Sequence, residues 1–213
     1  MTRVLSSVSP TVQLEGLYLR FPQCEVFANL SAHIPPGVAL VQGGESRGKT
    51  SLLRIVAGEL AANAGSVRIN GIEVEANPDA WRKQVFWVNP RTDAFNAVSA
   101  ADFFSSLRPV YARFDELTLQ ELVESLSITP HMDKPLYMLS TGSRRKVWLA
   151  AAFASGAPVT LLDEPFAALD ASSIACVKRF LTQSARQPER VLLFADYAAP
   201  GGVPLASTID LGD

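Results

Sequence analysis

Histidine and cysteine are nearly missing from this chain of 213 residues, which carries two of each. Cys24 and Cys176 lie far apart, without the spacing of a metal or redox pair, and read as ordinary side chains of a reducing compartment. His33 and His131 stand away from every candidate motif and read as structural or surface residues. An excess of either charge is missing too. The 19 Lys+Arg face 21 Asp+Glu, a net charge of -2, which argues against a general nucleic-acid binder. No apolar run suits a bilayer span: the most apolar stretch, Val147 to Leu162, is broken by Ser155, Gly156 and Pro158 and then meets Asp163 and Glu164. The first ten residues, MTRVLSSVSP, lack the apolar core of a signal peptide. Internal repeats, linkers and low-complexity tracts are not found. What remains is 48% hydrophobic and 19% charged, the balance of a globular chain with one large core.

Against these absences one stretch stands out, VALVQGGESRGKTSLLRIVAG from Val38 to Gly58. It reads as an apolar strand, a glycine-bounded loop and a helix opening at Gly48-Lys49-Thr50. Gly43, Gly48, Lys49 and Thr50 satisfy the P-loop pattern G-x-x-x-x-G-K-[ST]. Such a loop holds nucleotide phosphates with backbone N–H groups and the positive end of the following helix. Lys49 would neutralise the outer phosphates and the Thr50 hydroxyl would coordinate Mg2+. The bland alternative is a chance match in a turn, but the flanking strand and helix are the context the motif needs.

In chain order, Val12, Leu14, Leu17 and Leu19 begin a strand ending at Phe21-Pro22, and Val26 to Ile34 forms a second. Pro35-Pro36-Gly37 is a turn before the P-loop strand. After the P-loop helix, Val67–Ile69 and Ile72–Val74 flank Asn70-Gly71, a strong hairpin signal. Val85 to Val88 is a compact strand candidate, cut off at Asn89-Pro90. From Ser99 to about Met138 the pattern turns helical, opening on a Ser99/Asp102 capping box, with Leu117, Leu119, Leu122, Val123 and Leu126 at helical spacing. A helix from Ser143 to Ala154, a strand from Val159 to Leu162, a helix from Ile174 to Ala185 and a strand from Val191 to Ala195 follow. Thr208 to Asp210 is a weak edge strand at most. The expected fold is α/β: a P-loop (RecA-like) parallel core sheet, an antiparallel β subdomain and an inserted α-helical subdomain.

A P-loop needs an acidic element to complete the metal shell and polarise water. The apolar strand Val159–Leu162 ends in Asp163-Glu164, which fits a Walker B strand with Asp163 on the metal and Glu164 placed to accept a proton from water. A solvated pair capping a strand is the alternative. Leu139-Ser140-Thr141-Gly142-Ser143 puts hydroxyls and a glycine at a helix start, which suits an anion but serves equally as a plain N-cap.

Taken together, these motifs make the chain resemble the ATP-binding subunit of an ABC transporter, over nearly its whole length. By that resemblance Phe21 is the aromatic that stacks on adenine, and Gly43, Gly44, Glu45, Ser46, Arg47, Gly48, Lys49, Thr50 and Ser51 form the Walker A loop. Ser140, Thr141, Gly142 and Ser143 match the LSGGQ signature, which acts on the partner's ATP, and Ala168, Leu169 and Asp170 match the D-loop. The segment VYARFDELTLQEL is similar to ATPases of ABC-2-type exporters. The resemblance implies one domain over 1–213, with a core lobe of 1–94 and 156–213 and a helical signature lobe of 95–155. It further implies ATP and Mg2+ as cofactors, a second ATP-binding subunit (homo- or heterodimer), an integral-membrane permease, no nucleic acid, and a place on the cytoplasmic face of the membrane. Phe95, Val98, Phe103 and Phe104, where the helical lobe begins, are the guess for the docking surface; the alternative is that they pack that lobe.

Several positions depart from the pattern. Ser46 stands where the family has a further glycine, and Glu45 brings a carboxylate beside the expected phosphates, with Arg47 next to it. Asn89 stands where the family has the Q-loop glutamine, an amide on a shorter stem for the metal. Asp196 stands where the family has the H-loop histidine, and as a carboxylate it repels phosphate instead of donating to it. Four functions stay open at this point. They are the ATP-driven motor of a permease, a soluble ABC-type ATPase, a small P-loop kinase, and a catalytically weakened regulatory or structural subunit paired with a more active ATPase.

Overall fold

The computed structural model describes residues 10–74 and 76–212. Residues 1–9, read above for a leader sequence, lie outside that range. Strand β1 (Val12–Phe21) turns back into β2 (Cys24–Ile34), and β4 (Ala64–Ile69) pairs with β1 on its other side and with β5 (Ile72–Glu73) through Asn70-Gly71. These four form an antiparallel sheet in the order β2-β1-β4-β5. Asn70 (φ 53°) and Gly71 (φ 77°) both take the left-handed backbone that a two-residue hairpin turn requires.

A second sheet is wholly parallel, with the order β6-β7-β8-β3-β9. It is built from β6 (Val85–Phe86), β7 (Val159–Asp163), β8 (Val191–Asp196), β3 (Gly37–Gln42) and β9 (Ser207–Asp210). Its central strands are apolar on both faces, as a sheet covered on both sides demands. The alternation decides which core each residue enters. Val38, Leu40, Leu192 and Phe194 face the cluster shared with the helical segment, while Ala39, Val41, Val191 and Leu193 face the P-loop helix and the antiparallel sheet. All strands run the same way, so their carboxyl ends (Gln42, Asp163, Asp196, Asp210) meet on one edge, where α/β sheets of this kind bind ligands.

Among the described residues there are six α-helices: α1 (Lys49–Val56), α2 (Pro78–Gln84), α3 (Ala100–Leu107), α4 (Glu116–Ser125), α5 (Thr141–Ala154) and α6 (Ala171–Ser184). Four differences from the sequence expectations have local causes. The strand sought at Val85–Val88 pairs only at Val85 and Phe86, because the chain turns away at Asn89-Pro90, where Asn89 Oδ1 accepts from Arg91 N at 3.0 Å. The long helical segment divides into α3, α4 and two 3₁₀ turns at Thr129–His131 and Leu136–Met138. Helices α5 and α6 begin earlier than Ser143 and Ile174, since Ser140 and Asp170 cap them by accepting from Ser143 N and Ser173 N. Ser207–Asp210 forms a true parallel edge strand on β3 rather than a marginal one.

The guessed docking aromatics are corrected outright. Phe103 and Phe104 are each 1% exposed, and Phe95 and Phe103 stack edge-on against Trp148 of α5 at 5.9 and 4.9 Å between ring centres. Phe103 and Phe104 pack the helical segment and offer no surface, and Phe95 and Val98 are half-buried against the same core. Among the described residues, no helix is long and apolar enough to cross a membrane.

Candidate nucleotide-binding site

The P-loop joins the carboxyl end of β3 to α1, and its backbone explains its composition. Gly48 caps α1 at φ 90°, and a Cβ there would lie 2.3 Å from Val26 Cγ1 and 3.0 Å from the Phe27 ring. Only glycine fits, and the close approach seats the β1–β2 hairpin against the loop. Phe21 lies at the tip of that hairpin, paired with Cys24, and is 42% exposed. Ser46 takes φ 60°, the left-handed region where glycine is at ease. The loop thus keeps the backbone turn at a cost of about 1–2 kcal/mol for the side chain. Glu45, Ser46, Arg47 and Thr50 are exposed and Ser51 half-buried. Helix α1 has neither a side-chain cap nor an acid in its first turn, so its leading N–H groups stay available to an anion.

Lys49 is buried, and its Nζ donates to the carbonyls of Gly43 at 2.7 Å and Gly44 at 2.6 Å. Across the site, Thr50 Oγ1 donates to Asp163 Oδ2 at 2.8 Å, joining groups 113 residues apart. The other carboxylate oxygen, Asp163 Oδ1, is buried and has no hydrogen-bond partner among the described residues. Burial raises the Asp163 pKa above its ordinary 3.8, with neighbouring Glu164 adding to the rise and the Thr50 bond opposing it. A half-buried carboxylate with one free oxygen beside a hydroxyl suits a hard cation. Among the described residues no group of three or more His, Cys, Asp and Glu forms a closed metal cage. A cation here would share its shell with phosphate and water, the habit of Mg2+.

Glu164 holds φ 46°, uncommon for a residue with a side chain, and its N–H donates to Ala195 O at 2.9 Å. The strain fixes the acid beside the end of β8. Arg145 of α5 locks the same turn from below, donating through Nη1 to the carbonyls of Asp163 (3.0 Å) and Glu164. Sequence reasoning gave this arginine no role, since it stands in a run of three consecutive cations, Arg144-Arg145-Lys146, that matches no motif.

The signature residues Ser140–Ser143 form the first turn of α5, and Gly142 meets the D-loop so closely that a Cβ would lie 2.5 Å from Ala168 O. Ala168 takes φ 58°, Leu169 is half-buried, and Asp170 pairs with Lys146 at 2.7 Å. That pairing, with hydrogen bonds from Ser172 and Ser173, holds the Asp170 carboxyl well below the usual carboxylate range. Among the described residues no hydrogen bond joins Ser140–Ser143 to the P-loop of the same chain. Asn89 spends its Oδ1 on its own turn, and Asp196, half-buried with its pKa raised chiefly by burial, accepts from Tyr197 N at 2.8 Å.

Residues 27–167, the span from the β1–β2 hairpin through the Asp163-Glu164 strand, match the family described as ABC transporter. The chain belongs to that family. A "Cytochrome c biogenesis ATP-binding export protein CcmA" of Xylella fastidiosa (strain Temecula1) is 30% identical over 205 residues, covering 96% of this chain and 93% of the relative. The "Taurine import ATP-binding protein TauB" of Pseudomonas putida is 29% identical over 203 residues, covering 94% and 77%. A solved structure described as the ATP binding subunit of an ABC transporter superimposes with a TM-score of 0.74 at 18% identity, over 86% of this chain and 78% of that one, which shows the shared fold. As an ABC-family chain, this protein is a nucleotide-binding P-loop ATPase subunit.

Proposed function

We propose that this chain is the ATP-binding motor of a membrane transporter, a single domain over 1–213 whose core lobe holds the nucleotide and whose helical lobe carries the signature. The observation that carries the reading is the 2.8 Å bond between Thr50 and Asp163 with the unpartnered Asp163 Oδ1 beside it, next to an uncapped helix start. The P-loop amides and Lys49 take the phosphates, Thr50 and Asp163 hold Mg2+, and Phe21 stacks on the adenine. The ion supplies charge neutralisation on the outer phosphates. Glu164, within electrostatic reach of Asp163 and Asp196, accepts the proton of the attacking water.

The signature makes no hydrogen bond to its own P-loop, which supports a composite site in which Ser140–Ser143 contact ATP held by a second subunit, the D-loop lying between. Nucleotide-driven closure of that dimer then moves an integral-membrane permease from the cytoplasmic face. An open groove of about 650 Å³, lined by Arg54, Glu59, Arg82, Trp87, Val110 and Tyr111, replaces the buried aromatics as the docking surface for that partner. Val110 is 41% exposed there, so the groove offers apolar area edged by the charged side chains of Arg54, Glu59 and Arg82.

A second reading, a catalytically weakened subunit paired with a more active ATPase, draws support from Asn89 and Asp196, neither of which is free to do what the family residue does. Single-turnover hydrolysis of MgATP by the wild type against Glu164→Gln separates the two. Measurable wild-type cleavage that the variant loses supports the motor; equal, negligible cleavage by both supports the weakened subunit.

A further inference from the structure

Lys49 is 6% exposed, although the loop around it opens to solvent. Two carbonyls cover part of its ammonium, and the rest lies under the ring of Tyr197, whose centre is 4.0 Å from Nζ. Tyr197 follows Asp196 at the end of β8 and is 53% exposed, so a large ring is held at the surface over the P-loop lysine. The contact is of the cation–π kind, weaker than a charge-assisted hydrogen bond to phosphate. An arriving phosphate therefore displaces the ring from Lys49, and the ring remains beside it.

Around that ring the groups are acids. Glu164, Glu45, Asp196 and Asp163 all act on the Tyr197 hydroxyl and, with some burial, keep it protonated by raising its pKa above the ordinary 10.0. As carboxylates these four can only accept hydrogen bonds, whereas the phenol is a donor. Asp196 stands where a donor to the terminal phosphate is needed, and its carboxylate is occupied by the Tyr197 N–H.

We propose that Tyr197 is a phosphate-contacting residue of this subunit, its ring covering Lys49 until nucleotide arrives and its hydroxyl then donating to the terminal phosphate of ATP. This rests on the reading of the P-loop as an ATP site. It explains how a chain with Asp196 retains a donor at the end of β8, and why an exposed aromatic sits on an acidic edge.

The test is equilibrium binding of MgATP and MgADP to the full chain by titration calorimetry, with stopped-flow association rates. Tyr197→Phe keeps the cover and removes the donor. It should weaken MgATP on the order of ten- to a hundredfold, the worth of a hydrogen bond to a charged group, and leave MgADP within about twofold. Tyr197→Ala should lose the same preference and bind both nucleotides faster. An ATP-to-ADP affinity ratio in Tyr197→Phe within about twofold of wild type overturns the donor role, and an unchanged association rate in Tyr197→Ala overturns the cover. If the wild type binds no nucleotide, or Lys49→Ala binds as well as the wild type, the ATP reading falls as well. Lys49-dependent binding with an indifferent Tyr197→Phe removes the tyrosine proposal alone.

Discussion

Replacing Arg190 by methionine should cost this protein more stability than any surface cation is worth. Arg190 stands just before β8 and reaches across to the end of α5. Its Nη1 donates to Phe153 O at 2.9 Å, Nη2 to Ala152 O at 3.1 Å and to Thr160 Oγ1 at 2.8 Å, and Nε to Ala157 O at 3.2 Å. The Ala152 and Phe153 carbonyls belong to the last turn of a helix; that of Phe153 lacks a partner within it, while that of Ala152 also accepts from Ser155 Oγ at 2.8 Å. Burial lowers the guanidinium pKa to about 10, which still leaves it charged at neutral pH, and those oxygens are its hydrogen-bond partners. Methionine fills much of the stem's volume and satisfies none of them. Each buried acceptor left bare costs about 1–3 kcal/mol. Water entering from the adjoining cavity of about 430 Å³, lined by Arg113, Phe153 and Phe180, recovers part. The expected loss is about 2–4 kcal/mol. At roughly 2–4 °C per kcal/mol for a chain of this size, Tm should fall by about 4–16 °C. Thermal unfolding by circular dichroism, without nucleotide, reads this directly. A Tm within about 2 °C of wild type would refute the role given to Arg190 as the joint between the signature helix and the Asp163 strand.

Two further outcomes are expected. Phe21→Ala should lower MgATP affinity by about 1–3 kcal/mol, the worth of an aromatic stacked on a base. It should leave Tm within about 2 °C, because the ring is exposed and supports no core; calorimetric titration beside a melting curve checks both. The stabilisation that Mg2+ adds in the presence of ADP should shrink as pH falls from neutral toward the ordinary carboxylate value of 3.8. The Asp163 carboxyl has its folded pKa raised above 3.8, so the fold favours its protonated form. The penalty for ionising it appears as pH rises through the folded value, and the ion relieves that penalty only there. A Mg2+-dependent Tm increment unchanged over that range would count against Asp163 as the metal's ligand.

Much of the nucleotide site was legible in the sequence because its chemistry sits on consecutive residues. Gly43 to Ser51 and Asp163-Glu164 each follow a strand that periodicity alone reveals, and Asn70-Gly71 announces its hairpin. Contacts between distant segments were not legible. Arg145 and Arg190 carry no motif, and each bonds backbone carbonyls of a distant segment, at the end of β7 for Arg145 and of α5 for Arg190. Tyr197 had no motif, and its place over Lys49 follows from the pairing of β3 with β8. Phe103 and Phe104 were offered as a surface because hydrophobicity does not say which side of a helix is covered. Helix α2 did have a signal, Asn77-Pro78, a cap followed by proline in the first turn. That signal lay in a short stretch between two stronger ones.

The composite site is tested most directly by the mass of the Glu164→Gln chain in solution, measured by light scattering with and without MgATP. Removing the general base should trap ATP between one subunit's P-loop and the other's Ser140–Ser143. The chain should therefore run as a dimer with MgATP and as a monomer without it, and Ser140→Arg should abolish the dimer. A chain that binds MgATP at its P-loop yet stays monomeric at saturating nucleotide, with Ser140→Arg indistinguishable, would contradict the shared site.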